Sequence, residues 1–301
     1  MTGAVRRGQY PRRARLKGGR KPSFFLFCKD ALHAPLRPAS EARNSSRSRM
    51  TDPAIQREPI FNIPVVIVVM LAVMALIHAA RVLALSPAQD NEVLWLFAFD
   101  PVRYGGALPD GAIPGGFGAK IWSFVTYAFL HATWTHLGVN AIWFLAFGSA
   151  VARRFGTARF VVFFAVTAAA GAVAHLLAFG GQDAPVIGAS AAISGTMAAA
   201  MRFAFQRGGP LSFRRAGADG YRVPALPLMR ALREPSVIVF LSVWFGLNFL
   251  FGLWSTPLTG DNEVLAWQAH IGGFLAGFLM FSWFDPPPDF QQSDESFATR
   301  H

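Results

Sequence analysis

Six apolar stretches mark the chain, at about 61–85, 133–151, 158–179, 187–206, 236–254 and 267–284. Each is near the roughly 20 residues that a helix needs to cross the hydrocarbon of a bilayer. The pattern therefore predicts six membrane-spanning helices. The fourth stretch is built mainly of Ala, Gly and Ser, a composition that suits a helix enclosed by other helices, where small residues let backbones approach. Between the first two stretches lies a long polar interval, 86–132, that carries Trp95, Phe97, Phe99, Trp122, Phe124 and Tyr127. Aromatic side chains of this kind sit well at a membrane–water boundary. The interval is expected to form short helices lying partly in one leaflet. The fold class expected is an all-α membrane protein, a bundle of six transmembrane helices with a long membrane-associated first loop.

Composition agrees. Hydrophobic residues make up 53% of the 301 and charged residues only 15%, against about 25% charged in soluble domains. The net charge of +11 is local. Residues 1–49 hold 13 Lys/Arg and 2 Asp/Glu, and the rest of the chain has 15 of each and is neutral. This Arg-, Ser- and Pro-rich tail cannot bury a core and is expected to be disordered. Its apolar run, Phe24 to Phe27, is too short to span or to act as a signal core. It reads as a cytoplasmic arm, an organellar presequence, or sequence upstream of a natural start at Met50, and the last is favoured. The expected division is a basic tail over 1–59, a membrane domain over 60–285 and a short tail over 286–301. Scattered Arg without a folded basic face gives no support to a nucleic-acid partner. The lone Cys28 allows no internal disulfide, and the seven His form no metal-type cluster in sequence. No metal and no cofactor are expected.

Orientation follows from Lys and Arg in the short connections. Arg153, Arg154 and Arg159 join the second and third stretches. Arg207, Arg214, Arg215, Arg222, Arg230 and Arg233 join the fourth and fifth. The 180–186 and 255–266 connections have none, and 86–132 has only Arg103 and Lys120 beside Asp90, Glu92, Asp100 and Asp110. Both termini are expected in the cytoplasm, and the second, fourth and sixth helices are expected to enter from the outer face.

A polar or ionisable residue inside a span is costly and is a functional candidate by default. Here the candidates are His136 and Asn140 on the second helix, Ser190 on the fourth and His270 on the sixth. All lie in the first turns of helices that start at the same face, roughly 5–10 Å below it at the helical rise per residue. A serine hydroxyl becomes a nucleophile when a base takes its proton, and histidine does so near neutral pH. Acyl transfer also needs donors aimed at the developing oxyanion. His136 and Asn140, four apart, share a helix face, and the Ser190 backbone N–H at a helix start is another donor. No Asp or Glu stands at this depth, so a Ser190–His270 dyad is expected. The two helices must then pack closely, and Gly188, Ala191, Ser194 and Gly195 on one and Gly273 and Gly277 on the other permit it. His175 and Asn248 are expected in packing roles, His78 and Arg81 to snorkel outward, and His131 to brace the first loop.

At these residues the chain resembles the rhomboid family of intramembrane serine proteases. Gly188-Ala189-Ser190-Ala191 is similar to the family's nucleophile motif, His136-Leu-Gly-Val-Asn140 to its oxyanion-side motif, and Ala269-His270-Ile-Gly-Gly273 with Gly277 to its histidine motif. His131 also fits, and the resemblance covers about 60–285. It implies a serine endopeptidase that cleaves transmembrane segments of membrane proteins. Substrate would enter sideways from among the lipids, past the fifth helix, and unwind near a small residue. The resemblance also implies an oxyanion site drawn from His136, Asn140 and the Ser190 and Ala191 backbone, in a bacterial inner membrane by analogy. Two positions depart from the family. Ala191 stands where Gly follows the serine, adding a methyl beside the oxyanion site, and Ser123 follows Trp122 where the loop often has Arg. A relative that binds membrane helices without cutting them is the alternative. A small transporter fits worse, because internal repeats and intramembrane charges are lacking.

Overall fold

The computed structural model of the protein describes residues 63–106, 113–212, 218–253 and 266–286. The basic N-terminal tail, residues 287–301, Asp110, Arg214 and Arg215 lie outside them. Eight helices carry the architecture. They are α1 (Val65–Ala84), α2 (Pro87–Phe97), α3 (Gly116–Thr126), α4 (Trp134–Phe155), α5 (Thr157–Phe179), α6 (Ser190–Met201), α7 (Pro235–Leu253) and α8 (Trp267–Phe284). No strand occurs among the described residues, only an isolated bridge between Phe99 and Val186. The result is an all-α membrane bundle. α1, α4 and α5 are long and apolar enough to cross a bilayer. Outward-facing Val65, Leu76, Leu177, Phe249 and Trp283 are all more than two-thirds exposed, as expected of helices solvated by lipid and unlike a soluble surface.

The fourth predicted span differs from its expectation. It was expected over about 187–206, but α6 has 12 residues, about 18 Å of helix. Gly188 has φ +116, a backbone that other residues rarely adopt, and so the helix starts only at Ser190. Every residue from Ala191 to Met201 is buried. Non-helical backbone at membrane depth is tolerated where protein surrounds it, and here the Gly188 N–H donates to the Tyr127 carbonyl at 3.0 Å.

Around α6 pack α5 and α8. Rings of Phe144, Phe160, Phe163, Phe164, Phe203 and Phe281 fill the surrounding core. Glycines set the α6–α8 distance. A Cβ on Gly273 would collide with the Ala191 carbonyl, and one on Gly277 with the Gly195 carbonyl. A Cβ on Gly195 would stand 2.5 Å from the Thr167 methyl of α5. α4 is interrupted by a π-turn over Phe144–Gly148, a local widening that often marks functional helices. Its far end is anchored by buried Arg154. The Arg154 Nε meets Asp285 at 2.6 Å, and Nη1 donates to the carbonyls of Tyr221 and Val223 at 2.9 and 2.8 Å.

The first loop forms short helices, as its pattern predicts. Ser86 and Gln89 cap the start of α2 reciprocally, satisfying donors the helix leaves free. Trp122 Nε1 donates to the Leu96 carbonyl at 2.8 Å, and Tyr104 OH to the Lys120 carbonyl at 2.7 Å. Ser123, in the place where the family often has Arg, is fully buried with Oγ 3.4 Å from Tyr104 OH. Asp100 Oδ1 accepts from the N–H groups of Val102 and Ala184, joining this loop to the one before α6. Burial nevertheless pushes the Asp100 carboxyl up from the ordinary carboxylate range.

His78 and Arg81 do not snorkel. Both are buried, because the last turns of α1 pack against the segment entering α4. The His131 carbonyl lies 3.0 Å from His78 Nδ1 and accepts from Arg81 Nη1 at 2.9 Å, while Arg81 Nε pairs with Asp90 at 2.6 Å. His131 thus braces the loop through its carbonyl. Its fully buried ring stands edge-on to His136. Burial, then the neighbouring His136 and His78, pushes the His131 ring down to about 3. An unfolded histidine titrates near 6.5, so below that pH the unfolded chain binds a proton the folded one refuses. Stability is full above about pH 6.5 and drains as pH falls toward 3. Thermal melts of purified protein should therefore show a smaller loss of midpoint from pH 7.5 to 5 in His131→Gln than in the wild type; parallel losses would remove His131 from this role.

Candidate active site

The N-terminal turns of α4, α6 and α8 meet at one end of the bundle, and the end of α7 joins them. Ser190 is the first residue of α6 and is partly exposed. His270 lies in the first turn of α8 and is buried. Ser190 Oγ is 2.8 Å from His270 Nε2, within hydrogen-bond reach of a nucleophile and its base. The structure thus brings together the two residues expected to form the dyad.

The other predicted residues surround them. Thr133 caps α4 by accepting from the His136 N–H at 3.0 Å, which fixes the turn that carries the imidazole. A Cβ placed on Gly188 would lie 2.8 Å from His136 Nε2 and 3.8 Å from Asn140 Nδ2. Both side chains therefore face the backbone just before the nucleophile. Asn140 Nδ2 donates to the His136 carbonyl at 3.2 Å, and an amide nitrogen has a second proton to offer. The first N–H groups of α6, including those of Ser190 and Ala191, have no partner within their own helix, and the helix dipole favours negative charge there. Ser194 donates its hydroxyl to the Ser190 carbonyl at 2.7 Å, a packing role as expected.

The methyl of Ala191 does not point at this pocket. It lies against α5 at Gly171, where an added Cβ would stand 2.6 Å from it. A glycine one helix away makes room for the methyl, and the N–H keeps its direction.

One residue at the site escaped the sequence reading. Asn248, assigned there to packing, puts Oδ1 2.7 Å from His270 Nδ1. Its signal was legible. It is the sole amide in α7, and α7 runs opposite to α8, so the last turns of one are level with the first turns of the other. His175 by contrast is held away from the dyad, with Nε2 2.8 Å from the Ala184 carbonyl, and keeps its structural role.

No curated protein matches the chain. A family model, the Rhomboid domain, matches residues 118–284, more than half of the sequence, from within α3 to the end of α8. With that match, the chain belongs to the rhomboid family of integral membrane proteins.

Proposed function

We propose that this protein is an active intramembrane serine endopeptidase that cleaves transmembrane segments of other membrane proteins, with Ser190 as nucleophile and His270 as base. The observation that carries the reading is the 2.8 Å separation of Ser190 Oγ and His270 Nε2. In acylation, Oγ attacks the scissile carbonyl as its proton passes to Nε2, which then returns it to the leaving amine. The oxyanion is met by the Ser190 and Ala191 N–H groups, with His136 and Asn140 supplying side-chain donors. Water hydrolyses the acyl-enzyme with His270 again as base. The substrate helix must unwind locally, because helical carbonyls are already hydrogen-bonded and screened. Lipids are the solvent and lateral entry past α7 is the route; among the described side chains of α7 only Val237 and Trp244 are buried. Six spans follow from the apolar stretches, cytoplasmic termini and a site toward the outer face from the Lys/Arg distribution, and a bacterial inner membrane from analogy.

The non-cutting alternative drew its support from Ala191, and the Gly171 recess that holds its methyl weakens that support. A fluorophosphonate probe tests the reading. The purified wild type should label covalently and Ser190→Ala should not. A wild type that stays unlabelled while still capturing substrate helices would favour the binder. Asn140→Ala should slow cleavage about 10²-fold with folding retained, the cost of one oxyanion donor; unchanged turnover would remove Asn140 from that role.

A further inference from the structure

Asn248 touches His270, and its chemistry fixes more than a contact. Its Nδ2 donates to the Trp244 carbonyl, four residues back on α7, at 2.8 Å. A backbone carbonyl only accepts, so the atom facing Trp244 must be the amide nitrogen. The amide oxygen is thereby committed to the other side, 2.7 Å from His270 Nδ1. An amide oxygen also only accepts, so Nδ1 must carry the ring proton. Neutral imidazole has one N–H, which leaves Nε2 unprotonated with its lone pair 2.8 Å from Ser190 Oγ. The chain of single-role atoms runs from the Trp244 carbonyl to the serine hydroxyl, and each step admits one arrangement.

We infer that Asn248 is a positioning residue that holds His270 in the tautomer able to accept the Ser190 proton. The inference rests on the protease reading and extends it. When the hydroxyl proton moves to Nε2, the ring becomes an imidazolium with two N–H groups, and Asn248 Oδ1 remains the acceptor for the Nδ1 proton throughout. This is the orienting task that a carboxylate performs in triads, here given to a neutral group that costs less to bury than a charge. The other imidazole at the site is that of His136, across on α4. Asn248 also rides on α7, where Val237 and Trp244 are the buried side chains among those described. The proton arrangement of the base therefore depends on where α7 stands.

The test is the rate of fluorophosphonate labelling and of cleavage of a transmembrane substrate by the full chain in proteoliposomes, from pH 5 to 9. The proteins compared are the wild type, Asn248→Leu, Asn248→Asp and Ser190→Ala. Leucine keeps the volume and removes the acceptor. It should cut labelling and kcat by roughly 10²-fold or more and leave KM within about threefold, because the loss falls on the chemical step. Asn248→Asp restores an acceptor, now anionic. It should recover rate relative to Asn248→Leu and move the acid limb of the pH–rate profile to higher pH, because a nearby negative charge favours the imidazolium. His136 is present in every variant, so its titration drops out of the comparison. Asn248→Leu labelling within twofold of the wild type, with Ser190→Ala silent, would overturn the inference and leave the protease intact. A wild type that fails to label, or labels equally in Ser190→Ala, would overturn the protease reading and this with it. If Asn248→Leu does not fold, an unshifted acid limb in Asn248→Asp is the overturning result.

Discussion

His270→Ala should leave a folded protein whose cleavage rate has fallen on the order of 10⁴-fold or more, the range seen when one member of a nucleophile–base pair is removed. The argument is local. Ser190 Oγ has His270 Nε2 at 2.8 Å, and without it the hydroxyl keeps its proton at neutral pH. The imidazole is buried, with 8% of its residue exposed, so solvent has little room to substitute for it as base. Small residues line the neighbouring helix faces, so a truncated side chain leaves a void without shifting the backbone. Residual activity should come from the oxyanion donors alone. Single-turnover cleavage in proteoliposomes would measure it, with a thermal melt as the folding control. Loss of less than about tenfold would show that another group accepts the serine proton and would dismiss the pair.

Gly273→Val should be nearly as damaging to activity by a different route. The added Cβ would strike the Ala191 carbonyl oxygen, with the Ala191 carbonyl carbon 2.7 Å away. Both are main-chain atoms one residue from the nucleophile, and no side chain can swing aside. Overpacking of ordinary cores costs about 1–3 kcal/mol, and this site should exceed that range because backbone meets backbone. Relief requires α8 to back away from α6, which draws His270 off Ser190. The variant should melt well below the wild type and label slowly if it folds. Gly246→Ala on α7 is the control, since nothing lies within 4 Å of a Cβ there; it should melt and label like the wild type. A Gly273→Val protein with wild-type melting and labelling would mean the two helices are not held by this contact.

Much of this was readable in the residues. Apolar runs located α1, α4, α5, α7 and α8 because hydrocarbon solvation imposes length and composition together. Ser190, His270, His136 and Asn140 stood out because polar groups in apolar helices need a reason. The extent of α6 did not show, because hydropathy averages over Gly188, whose left-handed backbone decides where the helix starts. The π-turn in α4 leaves no composition signal at all. His78 and Arg81 were misread for a related reason. A cationic side chain near a helix end snorkels when lipid surrounds it, and only the fold reveals that the His131 carbonyl and Asp90 are there to receive it. Asn248 was passed over because its partner lies on another helix, and a pairing across helices becomes visible only when their depths are compared.

Arg154 gives the molecule a fixed foot. Asp285, the residue directly after α8, and the carbonyls of Tyr221 and Val223 are all gripped by one guanidinium. Above that foot, α8 is seated glycine against main chain along α6, so tilting it breaks a part-buried ion pair and a tight seam at once. Among the described residues, α7 carries no comparable ion pair. If substrate enters past α7 as proposed, compliance falls to that helix and registration to its neighbour, and the reacting atoms feel the entry through the amide that α7 extends to His270.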